Sequence, residues 1–81
     1  MKLPRNLTGA ELIKTLGQLG YQATRQTGSH VRLTCQQPSE HHLTVPLHDP
    51  LRIGTLAAIL AEVATHNGIT REALTDRLFG K

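Results

Sequence analysis

The sequence predicts an α+β domain, α-β-β-β-α with a short C-terminal helix, whose three-stranded antiparallel sheet carries helices on one face. Three observations predict it. A capping box opens an amphipathic run, three short segments alternate between apolar and polar residues with one apolar face each, and a second helical run stops at Asn67-Gly68. At 81 residues the chain allows one domain, spanning 1–81, and a core of a few Leu, Ile and Val side chains between two layers. A large enclosed substrate cavity is not expected.

In Thr8-Gly9-Ala10-Glu11 the threonine hydroxyl can accept from the Glu11 N–H while the Glu11 carboxylate reaches back. Leu12, Ile13, Leu16 and Leu19 then form one stripe and Gly20 stands where a left-handed cap is usual, so helix 1 is expected over Gly9–Leu19. Tyr21–Gln26 reads as a first strand, and Thr27-Gly28-Ser29 as a hairpin turn. From His30 to Cys35, Val31, Leu33 and Cys35 point one way while His30, Arg32 and Thr34 point the other. A third strand over His42–Val45 repeats the pattern and is closed by Pro46. Leu47–Gly54 reads as a loop and Thr55–Thr65 as helix 2, after which Thr70 can cap a last helix with Ala73, Leu74 and Leu78 as its stripe. Because each strand has one apolar face, the economical arrangement leaves His30, Arg32, His42 and Thr44 on an open face.

Hydrophobic residues make up 38% and charged residues 19%, inside the globular range. The single cysteine, Cys35, excludes an internal disulfide framework and a multi-cysteine metal or Fe–S site, and suits a reducing cytosol. No apolar run approaches the roughly 20 residues of a membrane span, and no apolar stretch follows the charges of the first residues as in a secretory signal. A cytoplasmic protein without a membrane partner is expected. Net charge is +3, concentrated at +4 in residues 1–39 against −1 in the remainder. Such a bias suits a polyanion such as RNA and equally describes a solvated basic face.

Four segments in order, Leu16-Gly17-Gln18-Leu19-Gly20-Tyr21, Arg25-Gln26-Thr27-Gly28-Ser29-His30, Thr44-Val45-Pro46-Leu47-His48 and Gly54-Thr55-Leu56-Ala57-Ala58-Ile59-Leu60, are similar to the HicA toxins of bacterial HicA–HicB toxin–antitoxin pairs. The resemblance covers about 7–60. It implies a fold like a double-stranded-RNA-binding domain, a ribosome-independent mRNA interferase acting as an endoribonuclease, and a HicB-like antitoxin covering the site. It also implies that the essential histidine of the Gly-Ser-His motif is His30. Where the family passes quickly from its second helix to an Ala-Gly turn, this chain has the longer Val63-Ala64-Thr65-His66-Asn67.

The residues support a similar reading. RNA cleavage without a metal uses the 2′-hydroxyl as nucleophile and needs a group that exchanges a proton near neutral pH, which describes imidazole best. Position alone makes His30 an exposed histidine on a wet strand; the resemblance makes it the catalytic candidate. Gly28 and Ser29 support it through the turn, with the Ser29 hydroxyl a possible phosphate donor, and His48 is a second acid–base or phosphate-contact candidate or a cap for helix 2. Lys14, Arg25 and Arg32 are the candidate RNA contacts. His41 and His42, adjacent in a strand, face opposite ways and cannot share one metal, and no paired spacing supports a metal site. No metal or other cofactor is expected. His66 suits a helix end, and Cys35 reads as core. With only Tyr21 and Phe79 aromatic, RNA must be held by backbone and shape rather than by stacking. The alternatives are an RNA-binding module of this fold that does not cut, and a protein-interaction domain whose basic face meets an acidic partner.

Overall fold

A computed structural model describes residues 3–37 and 39–80. Helix α1 (Gly9–Leu16) continues into one 3-10 turn (Gly17–Leu19), followed by β1 (Gln22–Thr27), β2 (His30–Cys35), β3 (His41–Pro46), α2 (Ile53–Asn67) and α3 (Arg71–Phe79). The strands form one antiparallel sheet in the order β1-β2-β3. This is the expected α+β architecture of a double-stranded-RNA-binding-like domain, with helices on one side of the sheet.

The two faces follow from the alternation. Val31, Leu33 and Cys35 of β2 and Leu43 and Val45 of β3 are buried, while His30, Arg32, His42 and Thr44 are exposed. Leu12 and Leu16 of α1, Leu56, Leu60 and Val63 of α2, and Leu74 and Leu78 of α3 complete the core. Each fully buried aliphatic side chain contributes about 1.5–3 kcal/mol. Thr75 is also buried, its hydroxyl donating to the Arg71 carbonyl at 2.7 Å, whereas Ala73, expected in the α3 stripe, is exposed.

The capping box forms as read: Thr8 Oγ1 accepts from the Glu11 N–H at 3.1 Å and Glu11 Oε1 accepts from the Thr8 N–H at 2.9 Å. The last turn of helix 1 tightens into the 3-10 segment and ends on left-handed Gly20, φ 89°. The hairpin turn is Gly28-Ser29 alone, with Thr27 opposite His30 and φ 58° at Gly28, the position where a II′ turn requires a positive φ.

Two elements are longer than their sequence signals. Helix α2 begins at Ile53 rather than Thr55, with Arg52 as an N-cap that makes no side-chain bond, so no capping residue marked its start. It runs on to Asn67, whose side chain donates to the Val63 carbonyl at 2.8 Å, before left-handed Gly68. The stretch Val63–Asn67 is therefore helix. Strand β3 gains His41 opposite Cys35 and Pro46 opposite His30, the proline being tolerated at the end of an edge strand.

The connection between β3 and α2 is stitched on both sides by backbone hydrogen bonds. Leu47 N–H donates to the Ser29 carbonyl at 2.6 Å, Leu51 N–H to Leu7 at 2.8 Å, and Gly9 N–H to His48 at 2.9 Å. Hairpin, loop and start of α1 are thereby one unit. Gly9 sits so close to this loop that a Cβ would overlap the Pro46 carbonyl oxygen, whereas a Cβ on Gly54 meets nothing.

Gly9→Ala is expected to cost about 1–3 kcal/mol in urea unfolding, because backbone must move, while Gly54→Ala is neutral or stabilising by up to about 1 kcal/mol. The Thr8 backbone N–H, then the Thr8 hydroxyl, hold the Glu11 carboxyl below its usual value of 4.5. A carboxyl with a depressed folded pKa contributes stability above its unfolded value that is lost as pH falls through the folded one. The difference in thermal midpoint between the native chain and Glu11→Gln should be present at pH 6 and shrink below 4.5.

Candidate nucleic-acid interface

The open face of the sheet is divided along the strands. At the hairpin end lies a shallow hollow of about 210 Å³ lined by Arg25, Thr27, His30, Arg32 and Thr44. Register explains the grouping, since Thr27 is opposite His30, Arg25 opposite Arg32 and Arg32 opposite Thr44. Pairing slips between Ala23 and Arg25, leaving Thr24 as the extra residue of a bulge. Thr24 therefore shares the open face with Arg25 and donates toward the Arg32 carbonyl at 3.4 Å, while Ala23, opposite Leu33, turns to the helix side and stays exposed, as does all of this edge strand, which against expectation has no buried face.

Arg25 and Arg32 are like charges directly across a strand pair, an arrangement that destabilises a sheet by about 0.2–1 kcal/mol. Among the described residues neither is in an ion pair, and no side-chain hydrogen bond engages His30. The hollow thus presents two unneutralised guanidinium groups around one unengaged imidazole. Phosphate oxygens are the ligands that such a set accommodates.

The other half of this face is internally satisfied. Thr24 Oγ1 and Thr34 Oγ1 are 3.0 Å apart, Thr34 Oγ1 and His42 Nδ1 2.9 Å, and His42 Nε2 and Glu40 Oε2 2.9 Å. A hydrogen bond from the Thr34 hydroxyl to Nδ1 would leave the Nε2–H to donate to Glu40. His42 is occupied by this chain.

The remaining site candidates lie around the hollow or away from it. Gly28 and Ser29 form its adjoining turn, and the Ser29 carbonyl holds the loop that carries His48. His48 is exposed just beyond β3, but does not line the hollow, and Arg52 rather than His48 caps α2. Lys14 is exposed on α1, in the layer that covers the opposite face. Tyr21 is buried, so no aromatic side chain lies on the open face of the sheet.

Sequence reasoning separated Cys35, His41 and His66, yet the fold gathers them on the covered side, at the far end of β2 from His30. Ligand atoms of all three lie within 4.8 Å of one another. The His41 and His66 rings stack with centroids 4.3 Å apart, and Tyr21 Oη lies 2.7 Å from His41 Nδ1. Burial, then the neighbouring His66, holds the His41 imidazole below 6.5, and burial beside Cys35 pushes the Tyr21 phenol above 10. The available signal was the opposition of Cys35 and His41 across β2 and β3. His66 joins them because α2 runs two residues further than expected, to Asn67.

No helix among the described residues is long and apolar enough to cross a membrane. No curated protein and no solved structure gives a significant match to the chain. A family model described as the HicA toxin of bacterial toxin–antitoxin matches residues 9–64, which run from the start of α1 almost to the end of α2 and include the whole hollow. With well over half of its length matched, the chain belongs to the HicA toxin family of bacterial toxin–antitoxin systems.

Proposed function

We propose that this chain is the toxin of a type II toxin–antitoxin pair, a metal-independent endoribonuclease that cleaves mRNA in the bacterial cytoplasm with His30 as general acid–base. One observation carries the reading: an exposed, unengaged His30 lines the hollow of the open face beside two unpaired arginines that face each other across the strands. His30 takes the proton of a ribose 2′-hydroxyl and the 2′-oxygen attacks the adjacent phosphorus. The P–O2′ bond forms and the P–O5′ bond breaks, giving a 2′,3′-cyclic phosphate, and the leaving 5′-oxygen takes a proton from the imidazolium or from water. Arg25 and Arg32 neutralise the phosphate as negative charge grows on it, and Thr27 and Thr44 can donate to its oxygens. The lining contains no carboxylate and one imidazole, which suits chemistry that recruits no divalent ion. Gly28 and Ser29 fix the turn, His48 contacts a neighbouring part of the RNA, and Lys14, in the helical layer behind the sheet, meets only RNA that wraps around the edge of the domain.

Membership of the family implies an antitoxin partner. We assign it to the HicB type, with a surface that covers the hollow and neutralises Arg25 and Arg32. A second reading, an RNA-binding module that does not cut, is favoured by the lack of a second titratable acid–base group lining the hollow beside His30.

Incubation with a structured mRNA in the presence of chelator separates the two. The native chain should cleave, with cyclic phosphate at the new 3′ ends, and His30→Ala should lower the rate about 10²–10⁴-fold at unchanged thermal midpoint. Binding by both proteins without cleavage by either would replace the enzyme with the binding module. With His30→Ala as the uncleaving host, Arg25→Ala and Arg32→Ala should each weaken RNA binding across all sequences and reduce the slope of log affinity against log salt by about 0.7–1.

A further inference from the structure

The geometry points to a Zn²⁺ site formed by Cys35, His41 and His66 and closed by the Glu62 carboxylate, which ties the end of α2 to the far end of β2 and β3. One sulfur–nitrogen pair already stands at metal-bound spacing. With Zn–S about 2.3 Å and Zn–N about 2.05 Å, a tetrahedral S···N edge is about 3.6 Å. Cys35 Sγ lies 3.6 Å from His66 Nε2. His41 Nε2 lies 3.8 Å from Glu62 Oε2, against about 3.4 Å for a nitrogen–oxygen edge. The three Cys and His ligand atoms are within 4.8 Å of one another, while Glu62 stands outside that group in contact with His41 and closes the site by rotation of its side chain.

The surroundings fit a ligand cluster. Tyr21 Oη engages His41 Nδ1 at 2.7 Å, leaving Nε2 to face Glu62; on metal binding Nδ1–H donates to the phenol oxygen, which takes the orienting place that a carboxylate, carbonyl or water holds at most metal-bound histidines. The His41 and His66 rings stack at 4.3 Å and 17° beside the buried thiol, and binding turns one ring out of this stack so that both ring planes contain the ion, neutral imidazole being the ligating form. A thiolate with two imidazoles and one carboxylate suits Zn²⁺ and not the all-oxygen preference of Ca²⁺ or Mg²⁺. Binding releases the Cys35 thiol proton, and thiolate and carboxylate together balance the two charges of the ion.

His30 and Cys35 open and close β2, which separates them by about 17 Å along the strand, and their side chains are on opposite faces. The ion is therefore structural and takes no part in chemistry at His30. In a domain of this size one such tie replaces core that the chain is too short to build.

The test is titration of the purified, metal-free chain with Zn²⁺ alone against a chromophoric chelator, with Co²⁺ as a spectroscopic probe and no RNA present. Failure here thus stays separate from failure of the ribonuclease reading. One equivalent of Zn²⁺ should bind and raise the thermal midpoint by about 5 °C or more. Co²⁺ should give the intense visible bands of a tetrahedral site and a thiolate charge-transfer band that Cys35→Ser removes. His66→Gln, at a half-buried helix position, should lower Zn²⁺ affinity at least about 100-fold, Tyr21→Phe about 10-fold, and His42→Gln should leave it unchanged. Absence of stoichiometric uptake overturns the site, as does uptake that survives Cys35→Ser and His66→Gln or that is lost with His42→Gln.

Discussion

The bulge at Thr24 sets which side chains of the first strand meet water, and both ends of the sheet depend on it. In a regular strand Thr27, Arg25, Ala23 and Tyr21 would all share one face. The extra residue breaks this parity, so that Thr27 and Arg25 stay on the open face with His30 and Arg32, while Ala23 pairs with Leu33 on the covered face. Tyr21 continues the covered side and is buried against His41. One inserted residue thus serves the cationic hollow at one end and the Tyr21–His41–Cys35–His66 cluster at the other. Thr24 is suited to the place, since its hydroxyl bonds across the bulge to Thr34 and toward the Arg32 carbonyl.

The same face is half committed and half open. Beyond the bulge, the relay from Thr24 through Thr34 and His42 to Glu40 satisfies its own donors and acceptors, and its acidic end repels phosphate. Toward the hairpin, Arg25 faces Arg32 without a carboxylate, an arrangement that folding alone disfavours. A cost of this kind at a small hollow is relieved when an anion occupies it, so a phosphate or an acidic antitoxin surface would bind there with the repulsion working in its favour. The domain can also hold the hollow still, because the loop after β3 is bonded on one side to the turn at Ser29 and on the other to the start of α1.

The sequence made the frame legible wherever a local rule acts on neighbouring residues. The capping box, the alternation in β2 and β3, Gly28 in the turn and Gly68 after α2 each reduce to geometry over four or five residues, and each is found in place. His30 and Arg32 followed from the alternation of β2, while Arg25 was read only as charge near the turn and the role of His30 came from the family resemblance. What stayed hidden depends on partners distant in the chain. Thr24 carries no mark of a bulge, because the slip goes with the burial of Tyr21 against His41, 20 residues away in the chain. The start of α2 lacks a capping side chain, and Lys14 lies in the helical layer because the stripe of Leu12 and Leu16 turns it outward. Cys35 and His66 meet across 31 residues, which no spacing motif encodes.

The limits of the family match carry a final structural point. Residues 9–64 contain the sheet and the hollow, but leave out His66 and α3. Both lie where α2 ends, and α3 packs on α2 through the buried Leu74 and Leu78. The matched region thus holds everything that places His30 beside the Arg25–Arg32 pair, whereas the residues beyond it act on the opposite corner of the molecule. Reinforcement of the C-terminal end of α2, by α3 and by His66 against Cys35, raises the stability of a very small core without touching the open face. Site and stabilising additions are separated by the thickness of the sheet, so this end of the chain can change while the hollow keeps its geometry.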